Sequence, residues 1–164
     1  MHQEYLLTTA EVSGALLGFV GVILILGRRS EGVITSKDRS GLFHLVYAAS
    51  GALFFSLTMY LFLVSFDFEN TVWRVGLALV TMYSIFGVSK AIREGQDGDN
   101  RLNPIARFLL SAMTFVSIGL NTTVAVGYLP TLAPFAYGAT ITLLIGVAVS
   151  YFVPFILGVH DDDA

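Results

Sequence analysis

From Phe108 to Val159 the chain runs for 52 residues without one Asp, Glu, Lys or Arg. At about 1.5 Å per residue, one helix of that length would be more than twice as long as the hydrocarbon core of a bilayer, ~30 Å. Lipid, unlike water, gives a reason to keep so long a stretch free of charge. The segment "LPTLAP", with Pro130 and Pro134, interrupts it, because proline cannot continue a helix without losing a backbone hydrogen bond. The expected products are a fourth span near 105–128 and a fifth near 135–159.

Three further spans precede these. The first runs from about Tyr5 to Leu26, the second from about Gly41 to Phe66, and the third from about Val72 to Ile92. The third is the weakest. Its uncharged centre is the 15 residues Val75–Ser89, which reaches across a bilayer only if Arg74 and Lys90 snorkel to the interfaces. Composition agrees with lipid as solvent: 55% of the 164 residues are hydrophobic, 13% are charged, and mean hydropathy is +0.74, against about 25% charged in a soluble domain. The expectation is one all-α domain over 1–164, a polytopic bundle of about five spans.

Basic residues set the expected orientation. Arg28, Arg29, Lys37 and Arg39 follow the first span, Lys90, Arg93, Arg101 and Arg107 follow the third, and only Arg74 lies on the other side. By the positive-inside rule the N-terminus is outside and the C-terminal "HDDDA" cytoplasmic. "MHQEYLL" carries no Lys or Arg, so the first span reads as an uncleaved helix and not as a secretory signal. The inter-span loops hold roughly 15 residues each, too few for a soluble core. The expected location is the inner membrane, multi-pass, with the lipid bilayer as first partner.

Several function classes fall away. With no cysteine, thiolate metal sites, disulfides and a cysteine nucleophile are excluded. No basic tract points to nucleic acid. Haem needs axial ligands within the membrane, whereas His2 and His160 lie at the chain ends. "DGDN" (97–100) opens like a calcium loop but lacks the Gly and distal Glu that close one. No cofactor and no metal are expected. No H-x-x-x-H, paired aspartates or activated serine suggests an enzyme, so a membrane-embedded enzyme ranks last and the chain reads as non-enzymatic.

Four polar residues stand out inside the spans. Glu11 lies in "AEVSGALLGFVG" on a face with Thr8, Gly14, Ala15 and Gly18, where Gly14 and Gly18 form a GxxxG that lets helices approach closely. Its expected depth is one to two turns below the outer surface. The expectation is that the carboxylate points toward another helix, paired with Arg74, hydrogen-bonded to Thr8, Ser13 or Asn121, or lining a water-filled cavity. His44 opens the second span beside Tyr47, Ala48 and Gly51. It reads as an anchor, or as a proton site, since imidazole titrates near physiological pH. Asn121, with Thr122 and Thr123, is expected to bond across to another helix. Pro154 frees a carbonyl and kinks the fifth span. Trp73 and Tyr128 are expected at the outer headgroup boundary.

The run "AEVSGALLGFVGVI", followed by basic residues, Asp38–Arg39 at the second span and Val72–Arg74 at the third, resembles a group of uncharacterised bacterial integral membrane proteins with no assigned activity. The likeness covers roughly the first ninety residues and implies a bacterial membrane protein, with Glu11 and Arg74 inside the recurring pattern. The leading functional expectation is a self-associating or accessory subunit, in a homo-oligomer or with an unknown membrane partner. The alternative is a small oligomeric channel or transporter for protons or a small solute, using Glu11.

Overall fold

A computed structural model describes residues 2–27, 36–66, 69–96 and 102–157. Five α-helices run in order: α1 (His2–Gly27), α2 (Ser36–Ser65), α3 (Glu69–Gln96), α4 (Pro104–Val126) and α5 (Ala133–Leu157). No strand occurs among the described residues. Each helix is long and apolar enough to cross a membrane. The "DGDN" turn, Arg28, Arg29, Arg101 and the "HDDDA" tail lie outside the described residues.

α2 and α5 form the centre. α1 packs chiefly on α2, α3 joins α2 to α4, and α4 closes against α5. The main core holds Leu6, Met59, Leu77, Val80, Tyr137 and Ile141. Polarity is inverted relative to a soluble bundle. Phe54, Met82, Phe86, Phe108 and Val116 are exposed, while Thr9, Ser13, His44, Ser56, Ser84, Asn121 and Thr140 are buried. That is the arrangement expected when the surrounding medium is apolar and polar side chains find partners only in each other.

The α4–α5 break comes earlier than the prolines. α4 starts at Pro104, with the Asn103 side chain accepting from the Ile105 N–H at 2.9 Å, a capped start with proline where no donor is needed. It stops at Gly127, whose φ of 101° is left-handed and costs little only for glycine. The Gly127 N–H then returns to the Val124 carbonyl and the Tyr128 N–H to that of Thr123. A 3-10 turn, Pro130–Leu132, leads into α5.

α2 and α3 are joined by a reciprocal clasp. The rings of Tyr47 and Tyr83 stack in parallel, with centroids 4.0 Å apart and planes 1° apart. The Tyr47 hydroxyl donates to the Tyr83 carbonyl at 2.6 Å, and the Tyr83 hydroxyl donates to the Tyr47 carbonyl. Each ring lies where the other helix has a glycine one turn on. A Cβ at Gly51 would collide with the Tyr83 ring, and one at Gly87 would come 2.8 Å from Tyr47 Cε1. The sequences "YAASG" (47–51) and "YSIFG" (83–87) therefore do the same job on antiparallel helices.

Gly51→Ala and Gly87→Ala are expected to lower unfolding free energy by about 1–3 kcal/mol each, because a half-buried, hydrogen-bonded ring must shift. Gly119→Ala, whose Cβ meets nothing within 4 Å, should be neutral or mildly stabilising, since alanine favours helix. Denaturant unfolding of the detergent-solubilised protein, followed by circular dichroism, checks the contrast. Equal effects at all three positions would refute the clasp.

Candidate functional site

One polar cluster of the bundle gathers around Glu94. α3 continues to Gln96, past the expected boundary at Ile92, because Lys90 and Glu94 sit one turn apart and pair (Nζ–Oε1 2.7 Å). Lys90 also lies 4.4 Å above the Phe43 ring. It is thus held by a carboxylate and an aromatic face. The second oxygen, Oε2, accepts from the Ser40 hydroxyl and lies 2.7 Å from His44 Nε2. Glu94 thus joins Ser40 and His44 of α2 to Lys90 of its own helix.

His44 is buried at 4% exposure. α2 begins at Ser36, not near Gly41, so His44 lies two turns inside the helix and not in its first turn. Its ring stacks on Tyr151 of α5 (5.0 Å, 21°) and meets Phe43 edge-on. An ionised carboxylate only accepts, so Nε2 carries the proton toward Glu94. Nδ1 makes no hydrogen bond to a described residue.

The same ring lines a cavity of about 70 Å³ among α2, α3, α4 and α5. Space of that size holds a few water molecules or a small head group. Its polar lining comprises Tyr47, Ser84, Ser111, Thr114, Thr140 and, at one edge, Arg107. Ser84 and Thr114 donate to the Val80 and Leu110 carbonyls one turn back, leaving their oxygens as acceptors. Thr140 joins the cavity to Asn121. Asn121 is fully buried, donates from Nδ2 to Thr140 Oγ1 at 2.8 Å, and shares that hydroxyl with Ser117. Two residues singled out in the sequence are therefore brought toward one space: His44 directly and Asn121 through Thr140.

Glu11 and Arg74 are not brought together. α1 turns Leu6, Thr9, Ala10, Ser13 and Val20 inward. The Thr9 hydroxyl contacts that of Ser56 at 2.8 Å, Ser13 donates to the Thr9 carbonyl, and Tyr5 reaches the Gly138 carbonyl and Thr142. Glu11, Ala15 and Gly18 consequently lie on the exposed face, and a Cβ at Gly14 or Gly18 would meet nothing within 4 Å. No other helix of this chain covers the GxxxG. Ser56 is nine residues from the end of α2 at Ser65, about 13 Å at helical rise. Glu11 lies nine residues beyond the start of α1 at His2, likewise about 13 Å at helical rise.

Arg74 is exposed on α3, which makes no substantial contact with α1. Its guanidinium lies against Gly127 at the C-terminal end of α4, where the helix dipole favours a cation. No Glu11–Arg74 ion pair forms. Trp73, in the second turn of α3, turns its side chain inward. It is buried at 3%, edge-on to Tyr137, and donates to Glu69 at 3.2 Å; Tyr128 is exposed. Among the described residues no group of three or more His, Cys, Asp or Glu could hold a metal.

Glu94, Ser40, Tyr83 and Tyr151 were not singled out in the sequence, and Lys90 only as an interfacial lysine. The available signals were the i, i+4 Lys–Glu pair and the repeated Tyr-x-x-x-Gly. Comparison with protein families, curated proteins and solved structures finds no match to this chain.

Glu94→Ala is expected to destabilise the protein by about 2–3 kcal/mol, since it strips a mostly buried His and Ser of a charged acceptor. Lys90→Ala should cost about 1 kcal/mol or less, because Lys90 is 35% exposed. A double-mutant cycle should give a larger coupling for His44–Glu94 than for Lys90–Glu94. The reverse order would show Lys90 to be the main partner.

Proposed function

We propose that this chain is a self-associating subunit of a bacterial inner membrane, with its N-terminus outside, its C-terminus in the cytoplasm, and its copies meeting along the exposed face of α1. One observation carries the reading. Glu11 sits deep along α1 on an exposed face with no hydrogen bond or ion pair among the described residues. An ionised side chain at the bilayer centre costs about 2.5–3.5 kcal/mol on the insertion scale. A second copy offsets that cost by giving a protonated Glu11 a hydrogen-bond partner across the interface, and the free Gly14–Gly18 row gives the backbone room to approach. The orientation is supported by the sequence alone, in which eight of the nine Lys and Arg residues follow the first and third spans.

A ring of three or more copies would set a Glu11 from each around an axis, which is the channel or transporter reading for protons or a small solute. A dimer favours a fastener. Nothing in this reading requires a catalytic group.

Native mass spectrometry of the detergent-released protein tests it. The wild type should be a homo-oligomer. Gly18→Leu should be a monomer with unchanged unfolding, because the added side chain meets no helix of its own chain. A monomeric wild type, or an oligomer unaffected by Gly18→Leu, would refute the α1 interface. Because the chain has no cysteine, Thr131→Cys should react with an impermeant maleimide on intact cells and Arg93→Cys only after permeabilisation. The opposite pattern would invert the orientation.

A further inference from the structure

The cavity beside His44 continues sideways. An apolar groove between α3 and α4, lined by Ile92, Pro104, Phe108, Ala112 and Phe115, shares Ala91, Arg107 and Ser111 with it. Phe108 and Phe115 are 71% and 54% exposed, so the groove opens on the outer surface of the bundle. In a bilayer that surface faces acyl chains. No α1 residue lines either space, so the site is separate from the proposed interface between copies.

We propose that this cavity and groove bind an uncharged single-chain amphiphile with a hydroxyl head, the head donating its proton to His44 Nδ1 and the chain lying along the groove. The interior selects for a donor. With Nε2 committed to Glu94, Nδ1 of the neutral ring is a buried acceptor with no hydrogen bond to a described residue, and such a group is costly until a ligand or water satisfies it. Ser84 and Thr114 direct their own protons to backbone carbonyls and present only oxygen lone pairs. A carboxylate or phosphate head hydrogen-bonded at the His44 end would face these acceptors and lie close to Glu94, while the donors of the lining, Arg107 and Ser111, stand at the junction with the groove. A cationic head would pass Arg107 at the junction and find Glu94 already matched by Lys90. A neutral hydroxyl meets none of these penalties. The rest of the cavity wall is apolar, including Ala48, Val88, Leu143 and Val147, which suits the first carbons of a chain.

The test uses the purified full-length protein in phospholipid nanodiscs. The probe is 1-dodecanol carrying a photoreactive diazirine at mid-chain, and labelled peptides are mapped by mass spectrometry. Labelling should concentrate on α3 and α4 around Ile92, Phe108 and Phe115. Unlabelled 1-dodecanol should compete about tenfold better than dodecyl methyl ether, which accepts but cannot donate, as expected for one hydrogen bond to a buried acceptor. His44→Phe keeps a ring against Tyr151 and removes the acceptor, so it should retain labelling but lose the preference for alcohol over ether. Ser111→Phe, placed at the junction, should block groove labelling, and it decides the matter should His44→Phe not fold. Equal competition by alcohol and ether in the wild type would overturn the proposal, as would water filling the cavity with labelling spread over all outward faces. A preference that survives in folded His44→Phe would overturn it too.

Discussion

Lipid offers no hydrogen bonds, and most of this architecture follows from that constraint. Every hydroxyl within a helix must find an acceptor in protein. Ser13, Thr81, Ser84, Thr114, Thr122, Thr123, Thr140 and Ser150 each donate to the carbonyl one turn back. These local bonds leave the hydroxyl oxygen as a spare acceptor. Where such oxygens turn inward, they give an otherwise apolar interior a consistent sense: it accepts and seldom donates. Where groups with larger demands occur, they cluster. Glu94 collects Ser40, His44 and Lys90, and Thr140 collects Ser117 and Asn121. The cavity lies between those two collections.

The number and placement of the helices were legible because hydropathy over a twenty-residue window sums many small terms of one sign. Their rotations were not. On α1 both faces carry small residues, Ala10 and Ser13 on one and Ala15 and Gly18 on the other. Pattern alone assigns neither to the core. Tyr5, Thr9 and Ser13 decide it through hydrogen bonds to α5, to α2 and within α1, and these hydroxyls look unremarkable in sequence. Glu11 follows from that rotation. The partnership with Arg74 failed because both charges were assigned to the outer side while neither the angle about the helix axis nor adjacency of α1 and α3 was fixed by sequence.

Glu94 was hidden for a different reason. A carboxylate beyond a lysine at the end of an apolar run reads as the start of a loop. The pair is instead the last turn of α3, held by its own i, i+4 contact and by two residues of α2 far away in sequence. Trp73 lies near the start of α3, as the sequence suggests, but the direction of its ring was not legible there. Here Tyr137 of α5 offers it an edge-on face inside the bundle, and Glu69 takes its N–H.

The clasp between Tyr47 and Tyr83 also bears on how the cavity can change shape. Each ring rests in the notch above the other helix's glycine, so sliding α2 past α3 in either direction drives both rings out at once. Two sides of the cavity are therefore pinned like a ratchet with opposed pawls. Among the described residues no second ring-and-glycine pair of this kind joins α3 to α4, although the two helices pack together.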